Sequence, residues 1–401
     1  MALPLDEIVQ ALGLQNIPER FLEFCQNGAE PIDLCDVTQM ETLEKRYGML
    51  GKYYSTLREV ALRVAENESL CTWCGWIAAY VAHAPIADVL AVPLPTPQDS
   101  LSVAYLRLLI LFGAMPNGIR AYRARGFSEE ELRQMLENVL GSRVAISEEI
   151  SRQDGLDGSG FSWLLHYAQA MIFRAGIFNI TPRPLYESSI LLRNCVDGRY
   201  AVLVLSGTFH RSGIQLNNDD RADTEGSFGA EFNETEDAYM GHRIENARVL
   251  SEKECYPKQQ WKEIVRQGGG VVGIHIPRDV ALTEENIWEG YRIAFKICRE
   301  RYPEVDVRAV HCSSWMLDSQ LESLLGESSK IVRFQRTFLR YPMGNAGAAA
   351  YSFVFKCKKP EDLNTLPEHT SLQRKLKAMY LNGETLYAAG GYIPVDELVI
   401  S

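Results

Sequence analysis

Two histidines near the ends of short apolar runs are the residues best suited to chemistry in this sequence. His275 lies at the end of the run Val271–Ile276, and His311 lies at the end of Val307–Cys312. An imidazole titrates near neutral pH, and it therefore serves as a general base or acid in catalysis. Matching positions on two apolar runs predict that the two side chains share a site. A purely structural, hydrogen-bonded role for both remains the alternative.

Hydroxyl groups and an indole follow His311 directly. Ser313 and Ser314 are candidate hydrogen-bond donors to a developing oxyanion or a leaving thiolate. Trp315 is a candidate apolar wall with one donor at its edge. No GxSxG motif surrounds either serine, which argues against a hydrolase triad. The predicted catalytic residues are His275, His311, Ser313 and Ser314.

A metal site is not predicted around these residues. His275, His311 and Cys312 are ligand types that zinc accepts, but they lack the ordered spacing of zinc motifs. Elsewhere, Cys71 and Cys74 form a single CxxC on a segment with helical periodicity, where they are interpreted as small buried apolar residues. We therefore expect neither a metal centre nor a redox centre.

The elements around the histidines have the order of a βαβ unit. Thr283 is a candidate cap for a helix that runs to Arg301, between the strands predicted at Val271–Ile276 and Val307–Cys312. A strand, a helix and a strand of these lengths predict a parallel pair. Ligands of open α/β sheets bind beyond the carboxyl ends of such strands. Both histidines are expected at that edge.

The chain divides into two regions by pattern. Residues 1–176 show helical periodicity, including one long helix over Thr42–Ala65 and a capping box at Ser128. Residues 177–401 contain strand patterns. The fold class is therefore α+β, with an all-helical N-terminal domain followed by a mixed α/β domain. Four further predictions concern the second region: a helix at Lys258–Val265, strands at Ile331–Leu339 and Ala350–Lys356, and a closing strand pair within Thr385–Val395.

Charge restricts the ligands that the chain accepts. There are 41 Lys and Arg against 52 Asp and Glu, and the formal net charge is −11. An acidic protein binds nucleic acid poorly, because phosphate contacts dominate that affinity. Arg333, Arg336 and Arg340 alternate with apolar residues, and together with Lys356, Lys358 and Lys359 they form the main candidate patch for one anionic cofactor. The alternative is a solvated sheet face.

The compartment is predicted from the cysteines and the N-terminus. Nine scattered cysteines, an odd number, argue for free thiols in a reducing cytoplasm. The first residues carry no basic segment followed by a cleavage site, so no signal peptide is predicted. We expect a cytoplasmic protein without membrane or nucleic-acid partners.

Several segments resemble bacterial two-domain acyltransferase-like proteins. They are His275–Pro277, Ser314–Leu321, Ile331–Arg336 and Thr370–Arg374. These proteins have a helical N-terminal acyltransferase domain and a C-terminal domain that resembles the GCN5-related N-acetyltransferases (GNAT). The resemblance implies a domain of the first kind over 1–176 and a GNAT-like domain over 177–401.

The resemblance also implies a cofactor and a way to bind it. In that fold the pantetheine of acyl-CoA lies in a splay between two central strands, and its pyrophosphate rests on amides before the central helix. By analogy Val271–Pro277 is the central strand and Arg278–Thr283 replaces the phosphate loop. This segment contains none of the usual glycines. Either the cofactor is held differently, with Arg278, or the fold persists without the chemistry. The predicted cofactor-binding residues are Arg278, Trp315, Arg333 and Arg336.

The predicted function is acyl transfer from an acyl-CoA-type thioester to an amine or hydroxyl of a small molecule. The paired histidines favour this reaction. The alternative is a non-catalytic small-molecule or partner-binding protein on a GNAT-like fold, which the glycine-free loop favours. Neither the acceptor, the acyl length nor the oligomeric state follows from the sequence.

Overall fold

The structure is a computed structural model that describes residues 3–96, 102–216, 226–278 and 280–400. The chain separates into two compact units, Met1–Phe173 and Arg174–Ser401. Among the described residues, no helix has both the length and the apolar character needed to cross a membrane.

The first unit is helical. Its described helices are α1 (Leu5–Ala11), α2 (Glu19–Gln26), α3 (Val37–Tyr47), α4 (Tyr54–Ala65), α5 (Glu68–Tyr80), α6 (Ile86–Ala91), α7 (Val103–Ala124), α8 (Glu129–Leu136), α9 (Val139–Ser151) and α10 (Gly158–Ala168).

The ends of these helices follow from local chemistry. Ser128 and Glu131 form the predicted capping box at the start of α8. The single long helix predicted over Thr42–Ala65 is wrong, because α3 ends at Tyr47 and α4 begins at Tyr54. Gly48 follows α3 with φ of 59°, a left-handed conformation that terminates helices. The apolar period continues across this break, which is why the pattern did not reveal it.

The second unit contains the sheets. Its strands are β1 (Phe173–Ala175), β2 (Phe178–Pro184), β3 (Ser189–Asn194), β4 (Tyr200–Val204), β5 (Thr208–Phe209), β6 (Phe228–Gly229), β7 (Asn233–Glu234), β8 (Ala238–Glu245), β9 (Arg248–Pro257), β10 (Trp261–Arg266), β11 (Gly270–His275), β12 (Val307–Ser314), β13 (Leu339–Ala346) and β14 (Tyr387–Pro394). Its α-helices are α11 (Glu284–Arg301), α12 (Gln320–Leu325), α13 (Lys330–Gln335), α14 (Ser371–Leu381) and α15 (Val395–Ile400).

The strands form two main sheets. The first has the order β1-β2-β11-β12-β14-β13, and in it β11 and β12 are parallel. The second has the order β10-β3-β4-β8-β7, with β9 also paired to β8. The predicted βαβ unit is therefore present as β11-α11-β12. Thr283 caps α11 by accepting a hydrogen bond from the amide of Asn286.

The two faces of the first sheet have different neighbours. One face packs on α11, where the ring of Tyr291 stacks on Phe178 at a centroid distance of 5.3 Å. The other face turns to the second sheet, and Val271 and Ala309 belong to a buried cluster that includes Val202 of β4. Because both faces are covered, β11 and β12 consist mainly of apolar residues.

Three predicted elements of this unit are wrong. The segment Lys258–Val265, predicted as a helix, is a three-residue turn followed by most of β10, which pairs with β3. The strand at Ile331–Leu339 is largely α13, because Val332 and Gln335 are buried and Arg333 and Arg336 are exposed, which is helical spacing. The strand at Ala350–Lys356 is a π-helical turn over Tyr351–Phe355.

The closing strand pair within Thr385–Val395 is also wrong. It is the single strand β14, followed at once by α15. β14 lies between β12 and β13 and pairs with both in antiparallel register. Its partners lie far away in the sequence, so the local pattern could not distinguish one long strand from a hairpin. The capping box at Thr370 is present as predicted and starts α14.

Candidate active site

The parallel strands β11 and β12 part at their carboxyl ends. Their pairing runs from Gly270 opposite Val307 to Gly273 opposite His311. Beyond that point Ile274 and His275 pair with β2 on the other side. Residues 312–314 pair with β14 instead. The two strands therefore diverge and leave a splay at the sheet edge where ligands of such folds bind.

The candidate polar residues share one face of the sheet. Register places Thr181 opposite Gly273 and Gly273 opposite His311. Because side chains alternate along a strand, His275, His311 and Ser313 point to the same side, together with Thr181 and Arg183 of β2. This is the face that turns to the second sheet. Three of the four predicted catalytic residues thus converge.

His275 stands at the divergence and is half-buried. Its Nε2 lies 3.1 Å from Oγ1 of Thr181, a buried hydroxyl on the adjacent strand. A hydroxyl donates to or accepts from an imidazole nitrogen by rotation. Thr181 therefore orients the ring of His275 in either tautomer.

His311 is almost completely buried, and both of its ring nitrogens have partners. Nδ1 lies 3.0 Å from a guanidinium nitrogen of Arg183, and Nε2 lies 2.5 Å from the hydroxyl of Tyr341. Nε2 is also 3.7 Å from a carboxylate oxygen of Glu187. An arginine donates hydrogen bonds and accepts none, so Nδ1 must be the acceptor and the neutral ring carries its proton on Nε2.

This environment keeps His311 uncharged. Burial lowers the pKa of His311 well below its usual value, and the charges of Arg183 and His275 lower it further. Protonation of Nδ1 would direct an N–H bond at the N–H of Arg183. His311 is therefore a neutral core group that connects β2, β12 and β13.

Two glycines make this arrangement possible. A side chain at Gly273 would approach Nε of Arg183 to 3.1 Å, so its absence lets the guanidinium cross β11 to reach β12. A side chain at Gly390 would overlap the ring of Tyr341. Tyr341 in turn stacks on Tyr392, whose hydroxyl bonds with Ser189.

The two serines have different surroundings. Oγ of Ser313 donates to Sδ of Met343 at 3.0 Å, a weak bond that a better acceptor can replace. Oγ of Ser314 accepts a hydrogen bond from the amide of Met316 at 3.1 Å and so caps a short 3-10 turn. Trp315 is buried in a separate cluster with Leu376 and Tyr380 of α14. Ser313 is the hydroxyl that remains available at the splay.

The residues predicted to bind the cofactor lie on several elements. Arg278, three residues beyond β11, donates to the carbonyl of Ser352 at 3.0 Å. Arg333 is exposed on α13, and Arg336 follows the end of that helix and pairs with Glu327 at 2.8 Å. Arg340, the third arginine of the predicted patch, is instead buried and pairs with Glu322 at 2.9 Å. The predicted basic strand is thus a helical surface. Of the segment Arg278–Thr283, Asp279 lies outside the described residues.

Sequence reasoning missed the residues that hold the histidines in place. Thr181, Arg183 and Tyr341 belong to strands that were not linked to the site. The signal available for two of them was alternation, because Asn179, Thr181 and Arg183 are polar at every second position of one short segment. Their pairing with His275 and His311 required the sheet order.

The fold and the splay define a class of protein. A parallel strand pair that is joined through one helix, diverges at its carboxyl ends and closes with antiparallel strands is the GNAT-like arrangement. Residues 216–393 match the family model described as "GNAT-like C-terminal domain". This match confirms the expected GNAT-like character of the second region.

Solved structures extend the likeness to nearly the whole chain. An acyltransferase in complex with decanoyl-CoA and teicoplanin is 18% identical, with a TM-score of 0.61 over 97% of this chain and 98% of that one. An acyltransferase in complex with CoA and 10C-teicoplanin is also 18% identical, with a TM-score of 0.62 over the same shares. A complex with decanoyl-CoA alone is 16% identical, with a TM-score of 0.62 over 98% and 99%. At these identities the likeness establishes the fold and confirms the predicted fold class. No curated protein sequence matches the chain.

Proposed function

We propose that this protein transfers an acyl group from acyl-CoA to an amine or hydroxyl of a small molecule. The observation that carries the proposal is the divergence of β11 and β12 beyond Gly273 and His311. Beyond these two residues the backbone groups on the two facing edges are not paired with each other. They suit the amide groups of pantetheine, which bind along a strand edge as a peptide does.

His275 is the proposed general base. It lies at the splay, it is half-buried, and Thr181 orients it. His311 is less suited to this role because its burial and its bonds to Arg183 and Tyr341 hold it neutral and fully engaged. We assign His311 a positioning role, in which it fixes the relative placement of β2, β12 and β13.

The proposed acyl transfer moves one proton and exchanges one bond. His275 accepts the proton of the acceptor's amine or hydroxyl while that group attacks the thioester carbonyl. The new bond forms at the carbonyl carbon, the C–S bond breaks, and CoA leaves as a thiolate that takes up a proton. The hydrogen bond from Ser313 to Met343 is weak. Ser313 is therefore the proposed hydrogen-bond donor to the leaving sulfur or to the oxyanion.

The similar structures support an inference about the length of the acyl chain and the class of acceptor. They contain decanoyl-CoA, octanoyl-CoA and teicoplanin. We infer a medium-length acyl donor and a small-molecule acceptor for this protein. The proposed domains are those predicted from the sequence, with the helical residues 1–176 as the acyltransferase-type domain and 177–401 as the GNAT-like domain.

One observation favours the non-catalytic alternative. The segment before α11 lacks glycine, and the first turn of that helix carries Glu284 and Glu285. Carboxylates at a helix N-terminus compete with a phosphate for the same amides. The cofactor's pyrophosphate would then depend on side chains, of which Arg278 is the first candidate.

Thermal unfolding with a series of ligands tests the proposal. Decanoyl-CoA, acetyl-CoA, free CoA and pantetheine are added in turn at millimolar concentration, and binding to the folded protein raises Tm. We expect the largest shift for decanoyl-CoA. The release of CoA in the presence of teicoplanin then measures turnover. A shift without turnover on any amine or hydroxyl acceptor supports the non-catalytic binding protein, and no shift with any of these ligands contradicts the proposed acyl-CoA-dependent function.

A further inference from the structure

Three metal-ligand side chains converge in the helical unit, which does not contain the splay. Sγ of Cys35 and Sγ of Cys71 lie 3.3 Å apart. A carboxylate oxygen of Asp33 completes the group, and the three donor atoms all lie within 4.8 Å of one another. Cys35 and Cys71 are half-buried and Asp33 is exposed, so that solvent ions have access.

The loop that carries Asp33 and Cys35 is held firmly on α5. The amide of Ile32 donates to the carbonyl of Gly75 at 3.1 Å, and a side chain at Gly75 would overlap that loop. Nε1 of Trp76 donates to the carbonyl of Ala29 at 2.9 Å. Oδ1 of Asp33 accepts the amide of Cys35 at 2.9 Å, which fixes the turn between them. The three ligand atoms are therefore preorganised, and they need no large rearrangement to bind one ion.

The surrounding charge favours a cation. The carboxylates of Asp33 and Glu68 both act on the thiol of Cys71. The nearby charges are thus negative, and a divalent cation would stabilise both thiolates and the carboxylate together.

We propose that Asp33, Cys35 and Cys71 form a binding site for Zn²⁺. Two thiolates and one carboxylate are ligands that zinc accepts, and a water molecule completes the tetrahedron. Binding releases the thiol protons, with two Zn–S bonds formed and no change of oxidation state.

The geometry favours zinc over a disulfide between the same two cysteines. Tetrahedral zinc with Zn–S bonds of about 2.3 Å places its two sulfurs about 3.8 Å apart, so the observed pair needs to open by only about 0.5 Å. A disulfide requires about 2.05 Å, and the sulfurs would have to close by more than about 1 Å. The disulfide is nevertheless the competing outcome of the test.

Cobalt substitution tests the site in the full chain. The protein is purified without metal, reduced fully and titrated with Co²⁺ under argon. We expect one equivalent to produce the thiolate-to-Co²⁺ charge-transfer band and the visible bands of tetrahedral Co²⁺. Zn²⁺ should then displace the cobalt and remove both bands.

Substitutions identify the ligands. Cys35→Ser and Cys71→Ser should each abolish the charge-transfer pattern of the two-thiolate site, and Asp33→Asn should weaken Zn²⁺ binding at least about tenfold in competition with a chromophoric indicator. Cys255→Ser, at an exposed thiol of the other unit, is the control that should bind normally. Circular dichroism checks folding. Since Asp33 is exposed, Asp33→Asn should fold normally. This variant therefore tests the site even if a cysteine variant misfolds.

Three results would overturn the proposal. They are the absence of the charge-transfer band in the wild type, an unchanged band in both cysteine variants, and a Cys35–Cys71 disulfide found by mass spectrometry in protein prepared with Zn²⁺ present. Catalysis at the splay is not required for any of these measurements.

Discussion

At the scale of single residues, the two predicted histidines prove to have different environments. His275 is half-buried beside Thr181, whereas His311 is enclosed by Arg183, Tyr341 and Glu187. His275 ends β11, whereas His311 lies within β12 opposite Gly273, so one imidazole is accessible and the other is enclosed. We therefore expect His275 to affect activity and His311 to affect stability.

His275→Ala should lower kcat/KM for acyl transfer by about 10²- to 10⁴-fold, the range for loss of a general base. The Tm shift caused by decanoyl-CoA should persist, because the backbone edges that receive pantetheine are unchanged. Steady-state CoA release and thermal unfolding measure the two effects. His210→Ala, at a partly exposed histidine bonded to Ser212, is the matched control. Full activity in His275→Ala would refute the assignment.

His311 should make stability depend on pH. Its pKa is lowered in the folded state, so the unfolded chain binds the proton more readily below its own pKa of about 6.5. The contribution of neutral His311 is thus complete above that value and is lost as pH falls, by at most about 1.4 kcal/mol per pH unit.

Urea unfolding at pH 7.5 and 5.5 measures this loss. His311→Gln removes the titration, and its free energy of unfolding should fall less between the two pH values than that of the wild type. Because other groups titrate equally in both proteins, the difference between the two slopes isolates His311. Identical slopes would show that His311 is not held neutral.

At the scale of elements, β14 determines how closely β13 approaches β12. Gly390 pairs with Ser313 on one side and with Tyr341 on the other. The ring of Tyr341 lies over the glycine, and from there its hydroxyl reaches Nε2 of His311. A side chain at this position would push the ring away.

Gly390→Ala should therefore lower the free energy of unfolding by about 1–3 kcal/mol, the usual cost of overpacking a buried site. Gly229→Ala is the control, because no atom lies within 4 Å of the added carbon there. Chemical denaturation gives both values. Equal stability of the two variants would show that Tyr341 is not confined as described.

At the scale of the whole molecule, net charge opposes the proposed cofactor. The chain carries a formal charge of −11, and CoA is itself a polyanion. Salt screens repulsion between charges that are farther apart than about 10 Å at 0.1 M. The charge of the protein therefore affects the approach of the cofactor more than its final contacts.

The association rate constant of decanoyl-CoA should rise as ionic strength increases. An S-decanoyl pantetheine without phosphates is the matched control, and its rate should not change. Stopped-flow fluorescence measures both. A rate that falls with salt would instead show that a local positive field, such as that of Arg333 and Arg336, dominates the approach.

Local patterns were sufficient for much of the architecture. The helical first region, the capping boxes at Ser128 and Thr370, and the βαβ unit follow from side-chain periodicity and short-range hydrogen bonds, which involve residues a few positions apart. The prediction that His275 and His311 occupy matching strand ends is wrong, because His311 lies opposite Gly273 and β12 continues to Ser314. Patterns failed where an apolar run had no clear period, as at Ile331–Leu339, which is largely helix α13.

Contacts between distant residues had to come from the tertiary structure. Arg183 meets His311 across 128 positions, and Cys71 meets Cys35 across 36. Both cysteines of the CxxC were interpreted as small buried apolar residues; Cys74 is buried, but Cys71 is only half-buried beside Cys35. Sequence spacing limits which residues lie on one face of an element, but it does not specify which faces meet. Sheet order and helix packing determine which faces meet. They leave His275 accessible and enclose His311.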